Sequence, residues 1–217
     1  MKYRVVLFDL DGTLLDTIGD LAAAVNHALE LRGLPLHTLP DYRRMVGHGV
    51  RNLVTQALPA TYQEDEAFID ACLADFKSYY SAHIADRTLP YPGMTELLQD
   101  LQAKGVQLAI ASNKFQSGTE DLIGRLFPGI RFVTVLGNRE GYPLKPDPEI
   151  VGEVLRRSGC SRETAVMVGD SLTDMKTAAN GGIAGIAVNW GYRQMAGETG
   201  FPVAGTSAEL RALLGLE

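Results

Sequence analysis

Four short segments of the 217-residue chain carry residue types that do chemistry together. One apolar run ends in Asp9-Leu10-Asp11-Gly12-Thr13, a second in Ser112-Asn113-Lys114, and another in Gly169-Asp170-Ser171, with Asp174 four residues after Asp170. The segment "YPLKPDP" places Lys145 just ahead of a proline-initiated stretch. Carboxylates and a lysine gathered in one place are costly unless a cation and an anionic ligand join them. A hard divalent ion removes that cost, because Mg²⁺ takes one or two carboxylates, a carbonyl and waters while also gripping a phosphate oxygen; Asp9, Asp170 and Asp174 offer suitable oxygens. Ser112 and Lys145 then supply a donor and a positive charge to the remaining phosphate oxygens. Gly12 and Thr13 are expected to let backbone N–H groups approach closely. The set is balanced for a phosphoryl group.

Each segment alone has a plainer explanation. Asp-x-Asp-Gly after a strand makes an ordinary turn, a lone lysine is usually solvated, and Asp174 suits a helix cap. A calcium-binding EF-hand loop needs its glycine at the sixth position between helices, whereas here it is fourth and a strand precedes it. It is the order and joint occurrence of the four segments that points to one site.

The elements that must position these residues are legible as strand-like runs at Tyr3–Phe8, Gln107–Ser112, Phe132–Gly137, Ala165–Gly169 and Gly185–Asn189. Such nearly continuous apolar runs suit strands covered on both faces, as in a parallel sheet flanked by helices. The connectors agree: "TELLQDLQAKG" and "PDPEIVGEVLRRSG" both carry helical spacing and end on glycine. In an α/β doubly wound sheet, ligands bind at the carboxyl ends of the strands, which is where the four segments fall. The interval between the first strand and Gln107 is far too long for one crossover and reads as helical throughout. "DTIGDLAAAVNHALELRG" begins with a capping-box-like Thr17 and Asp20, "VRNLVTQAL" is a further helix, and "EDEAFIDACLADFKSYYSAHI" places Phe68, Cys72, Phe76 and Tyr79 at helical steps. The expected organisation is a core of residues 1–15 and 87–217, interrupted by a helical insertion of residues 16–86.

Composition narrows the partners. A formal charge of −6 opposes nucleic acid and anionic membrane, so neither is expected. The two cysteines, Cys72 and Cys160, lie far apart with no CxxC, which suggests neither a disulfide framework nor a zinc site. No signal-like segment and no long apolar run is visible, so a cytoplasmic protein is expected, as a monomer or homodimer acting on a small phosphorylated metabolite. Of the four histidines, His27 and His83 fall in helix patterns, His37 in a loop, and His48 in "GHGVRNLV" beside Arg51. There the glycines allow close backbone approach, and Arg51 is a candidate reader of a substrate carboxylate. Trp190 and Tyr192 are expected to pack.

"DLDGT", "SNK", the lysine of "KPDP" and "GDSLTD" resemble the four signature motifs of the haloacid dehalogenase-like superfamily, in order and across nearly the whole chain. The resemblance implies a Rossmann-like parallel-sheet core, a helical cap and an aspartyl-phosphate mechanism with Mg²⁺. It implies Asp9 as nucleophile and Asp11 as general acid/base. Asp9, Asp170 and the main-chain carbonyl of Asp11 would be metal ligands, with Asp174 in support. Gly12, Thr13, Ser112, Asn113 and Lys145 would line the phosphate. An aspartate at Asp11 favours phosphatases and phosphomutases over dehalogenases, which lack an acid there. Within the superfamily, "DLAAAVNHALELRGLP" and "GHGVRNLV" look most like phosphoglycolate phosphatase and its helical-cap relatives, implying 2-phosphoglycolate as substrate. Pyrophosphatases, nucleotide or sugar-phosphate phosphatases and β-phosphoglucomutase-like mutases are the alternatives, and a receiver-type phospho-accepting module is a more distant one.

Overall fold

The apolar runs become a parallel sheet, because side chains on both of its faces are withdrawn from water. The computed structural model describes residues 2–195 and 200–216. The chain divides into two units, one of Met1–Asp16 with Pro90–Glu217 and one of Thr17–Leu89. The larger begins with β1 (Val5–Phe8) and the short β2 (Leu15–Asp16). The smaller then forms α1 (Ile18–Glu30), α2 (Leu39–Met45), α3 (Val50–Ala57) and α4 (Glu66–His83). After the short β3 (Leu89–Pro90) come α5 (Met94–Ala103), β4 (Gln107–Phe115), α6 (Gln116–Leu126) and β5 (Phe132–Asn138). The chain continues through α7 (Glu149–Ser158), β6 (Ala165–Gly169), α8 (Leu172–Gly181), β7 (Ala184–Val188), β8 (Val203–Ala204) and α9 (Ser207–Leu214).

The main sheet has the order β5-β4-β1-β6-β7-β8, with its strands parallel. β1 lies between β4 and β6, with Val5 opposite Gln107 on one side and Ala165 on the other. From β1 the chain winds outward to β4 and β5, then returns to build β6 and β7 on the opposite side. The reversal of strand order therefore falls between β1 and β6, where doubly wound sheets open a crevice at their carboxyl ends. All four residues of β1 are fully buried, and Leu7 packs with Ala109, Leu136, Met167 and Val154 in the core beneath one face. At about 25 cal/mol per Å² of apolar area removed from water, this double-sided burial is the main reason the continuous apolar runs form the sheet's centre.

The structure departs from the sequence expectations in several places. β4 runs on to Phe115, so Ser112, Asn113 and Lys114 belong to the strand's end instead of a following turn, and its register with β5 shifts between Ala111 and Phe115. Such an irregularity re-aims side chains at a sheet's rim. β8 carries no apolar run long enough to be read. α2 is another unexpected element, a short polar helix whose start is set by Thr38, which donates from its N–H and Oγ1 to Asp41 Oδ2 at 2.9 and 2.6 Å. The capping box expected at Thr17 and Asp20 does not form: the Asp20 carboxylate is buried and accepts from the N–H of Arg87 and Thr88 and from Thr88 Oγ1 at 2.7 to 3.1 Å. Within the smaller unit it joins the first turn of α1 to the segment that follows α4.

The inward stripe of α4 is Ile69, Cys72, Phe76 and Tyr80, displaced by one residue at each end from the stripe expected. Phe68 instead stacks on Tyr62, and Tyr79 lies between the rings of His27 and His83, each pair with centroids 4.3 Å apart. Aromatic rings with a polar edge gain by stacking at a half-exposed position, whereas the fully apolar Ile69 gains most from burial.

Candidate active site

Asp9 leaves the end of β1, and its N–H donates to Val168 O at 3.0 Å, which holds it alongside β6. Asp170 leaves the end of β6, and Ser171 caps α8. The capping geometry divides the work of Asp174 between its two oxygens. Asp174 Oδ2 accepts from Ser171 Oγ at 2.6 Å and from Ser171 N–H at 3.1 Å, while Oδ1 accepts from Lys145 Nζ at 2.6 Å. The same ammonium lies 2.9 Å from Asp9 Oδ1. Lys145 thus bridges Asp9 and Asp174 from a side chain only 2% exposed. The topology brings Asp9, Asp11, Ser112, Asn113, Lys145, Asp170 and Asp174 to one end of the sheet.

The charges there are strongly perturbed. Burial, reinforced by the negative charge of Asp174 and opposed by Lys145, pushes the Asp9 carboxyl up to about 7. Burial, then the charges of Asp174 and Asp9, raise Asp170 well above the usual carboxylate range. Burial alone would weaken the protonation of Lys145, but the two carboxylates outweigh it and hold the ammonium above its ordinary value. One lysine does not balance three acids in a low-dielectric pocket, so the site favours a further cation.

Asp9, Asp170 and Asp174 fit that cation. Each offers one carboxylate oxygen, and these oxygens lie within 4.8 Å of one another. A magnesium ion bonded at about 2.0–2.1 Å in an octahedron draws its oxygens from this range, and oxygen ligands are its preference. One oxygen of Asp170 is fixed by the N–H of Tyr192 at 2.8 Å. Room for that carboxylate is kept by glycine: a Cβ at Gly12 or Gly191 would stand 2.3 Å from Asp170 Oδ2. Gly12 also has a φ of +86°, a conformation that L side chains rarely adopt.

The expectation for the N–H groups of Gly12 and Thr13 is not met. Gly12 N–H donates to Leu15 O at 2.9 Å and Thr13 N–H to Leu10 O at 3.3 Å, so the turn closes on itself. Thr13 is fully buried, and Trp190 Nε1 donates to its carbonyl at 3.0 Å. Ser112 Oγ accepts from Lys114 N–H at 3.2 Å, which leaves the hydroxyl proton as a donor. The Asn113 carboxamide is turned onto the backbone of Lys145: Oδ1 accepts from Lys145 N–H at 2.8 Å, and Nδ2 donates to Lys145 O at 3.1 Å.

Arg51 and His48 lie in the smaller unit. Arg51 gives Nη1 to Asp70 at 2.5 Å and Nη2 to Glu66, and these two bonds strengthen its protonation. Both arms of its fork are therefore occupied within the unit, which counts against Arg51 as a ready carboxylate reader. His48 is exposed at the turn before α3.

The sequence reading left out Lys114. Its ammonium is 3.2 and 3.4 Å from the two oxygens of Asp11, and its side chain is 2% exposed. The available signal was position: Lys114 follows Ser112 and Asn113 at the end of a buried strand, where a lysine needs an acid. Tyr192 and Trp190, expected only to pack, also bond polar atoms of the site.

The description "Haloacid dehalogenase-like hydrolase" matches this chain over residues 6–188. The chain belongs to the haloacid dehalogenase-like hydrolase family. It is 37% identical over 193 residues to a phosphoglycolate phosphatase of Mesorhizobium japonicum, covering 88% of this chain and 85% of that one. To a phosphoglycolate phosphatase of Caulobacter vibrioides it is 35% identical, covering 89% and 82%. A crystal structure from Lactobacillus delbrueckii subsp. bulgaricus superposes with a TM-score of 0.90 at 34% identity, covering 99% of both chains. The six-stranded parallel sheet flanked by helices is thus the haloacid dehalogenase-like fold, and the four segments lie at its carboxyl edge.

Proposed function

We propose that this haloacid dehalogenase-like hydrolase is a Mg²⁺-dependent phosphatase that works through an aspartyl-phosphate on Asp9, with 2-phosphoglycolate as its substrate. The observation that carries the reading is the placement of Asp9: a carboxylate at the end of β1, 2.9 Å from a buried ammonium and beside two further acids. A carboxylate attacks a phosphate dianion poorly because both are negative, and Lys145 offsets part of that repulsion. Asp9, Asp170 and Asp174 would hold Mg²⁺, which when bound supplies further charge neutralisation and orientation of the phosphoryl group. Ser112 donates its hydroxyl proton to a phosphate oxygen. Asp11 protonates the leaving oxygen and afterwards takes a proton from the water that hydrolyses the acyl-phosphate. The nearby Lys114 ammonium holds the Asp11 carboxylate in position.

The smaller helical unit, Thr17–Leu89, serves in this reading as a cap that selects the substrate and excludes water. The choice of 2-phosphoglycolate rests on the relatives that carry that name at 37% and 35% identity. Arg51 is left out of the binding set because Glu66 and Asp70 hold its fork.

Steady-state phosphate release over a panel of phosphate esters, with and without Mg²⁺, tests the reading. The highest kcat/KM is expected for 2-phosphoglycolate. A preference for another ester replaces the substrate, an isomerised sugar phosphate indicates a mutase, and a lack of metal-dependent release rejects the class.

A further inference from the structure

Lys145 is an unusual residue to find buried. It sits in the irregular segment between β5 and α7, yet its ammonium must arrive between two carboxylates with its charge desolvated. A long side chain on a free loop would lose that geometry to its own entropy. The residue's backbone must therefore be fixed by something other than a sheet or helix.

A backbone turn, in which Asp147 N–H donates to Leu144 O at 3.0 Å, brackets the residue, and one side chain grips its own polar backbone groups. The Asn113 carboxamide accepts from Lys145 N–H at 2.8 Å and donates to Lys145 O at 3.1 Å, so it bonds both polar backbone groups of the same residue. It does for Lys145 what a neighbouring strand would do in a ladder. The next residue, Pro146, has no N–H, and its carbonyl accepts from Asn180 Nδ2 of α8 at 2.8 Å. Asp174, on the same helix, accepts from the ammonium itself. The lysine is thus gripped at its backbone from β4 and at its tip from α8.

We propose that Asn113 is a positioning residue that acts through Lys145, clipping its backbone so that the ammonium stays between Asp9 and Asp174, rather than a ligand of the substrate phosphate. This rests on the phosphatase reading. It also accounts for the residue type. Aspartate has no donor for the Lys145 carbonyl, serine is too short to reach both groups, and glutamine is one methylene too long for the same closed pairing.

A double-mutant cycle separates this role from direct phosphate contact. The probe is p-nitrophenyl phosphate hydrolysis with Mg²⁺, which does not depend on which natural ester is preferred. Asn113→Ala is expected to lower kcat about tenfold to a hundredfold, the scale associated with roughly 1 Å of misplacement, with a smaller change in KM. On a Lys145→Met background the same substitution is expected to lower kcat/KM by less than about twofold, because the group it positions is already gone. An equal loss on both backgrounds overturns the proposal. The second readout needs no activity: pulse acetylation with acetic anhydride, read by mass spectrometry, is expected to modify Lys145 faster in Asn113→Ala while Lys114 stays protected. Unchanged labelling of Lys145 in folded variant also overturns it. Asn113→Ser is taken through both measurements if the alanine variant does not fold. Inactive wild-type protein rejects the phosphatase reading and leaves the labelling experiment to decide the clip on its own.

Discussion

Asp9 and Asp11 stand two residues apart and meet different environments. Asp9 is fixed against β6 and bonded to Lys145, while Asp11 faces Lys114. Asp9→Asn keeps the shape and removes the charge that the proposed mechanism uses as nucleophile, so phosphate release is expected to fall by on the order of a thousandfold or more. Asp11→Asn is expected to lower kcat by about a hundredfold to ten-thousandfold, the usual worth of a positioned acid or base, with little change in melting temperature. Unchanged turnover in Asp11→Asn would remove the acid/base assignment. Gly12→Ala tests the room around Asp170 instead. Its Cβ would stand 2.3 Å from Asp170 Oδ2 in a backbone with φ of +86°. A stability loss of about 1–2 kcal/mol is expected from the strained conformation, together with a weakened requirement for, or response to, Mg²⁺ in titrations of activity.

At the scale of elements, the sequence was most informative where chemistry and periodicity coincide. The run Ala165–Gly169 is the strand observed as β6, because five consecutive buried residues leave no competing pattern. It was least informative where tertiary partners decide the outcome. Nothing local to "DTIGDL" says that Asp20 turns away from Thr17 to bond Arg87 and Thr88, nearly seventy residues later. The same holds for Asn113, whose Lys145 partner lies in the segment that follows β5, the strand paired with β4, and for the N–H groups of Gly12 and Thr13, which the turn itself consumes. The four motif segments were legible as a set since a site of this charge requires all of them. The division of labour inside the set, with Lys114 on Asp11 and Lys145 on Asp9, needed the fold. The Asp20 bonds carry a prediction of their own. Asp20→Ala strips an acceptor from two backbone N–H groups and a hydroxyl in a buried place, and a loss of about 2–4 kcal/mol is expected by urea unfolding. Asp20→Asn, which retains one acceptor oxygen, is expected to lose less.

For the whole molecule, the acidic site couples stability to pH, and on the proposed reading to metal in the opposite sense. The Asp9 carboxyl titrates at about 7 in the folded protein, against an ordinary value of 3.8, and Asp170 is raised as well. Between about pH 4 and 7 the folded state therefore holds a proton that the unfolded state has released. Stability must then fall as pH rises through that window, by about 1.4 kcal/mol for each unit of difference between the two states' values. Carboxylates paired with arginine act the other way: Glu153, bonded to Arg139 and Arg157, is lowered and loses its contribution as pH falls. Comparing wild type with Asp9→Asn isolates the site, since the asparagine variant lacks the proton and is expected to show a shallower decline in melting temperature between pH 5 and 7.5 in EDTA. In the proposed reading Mg²⁺ binds the deprotonated acids, so its stabilisation is expected to grow over the same window. At a concentration a hundredfold above its Kd it contributes about 2.7 kcal/mol, or roughly 5–10 °C in a chain of this size. Scanning calorimetry at pH 7.5 is expected to show that full rise and at pH 5 only a fraction of it. An equal rise at both pH values would mean that the metal does not displace protons from Asp9 and Asp170.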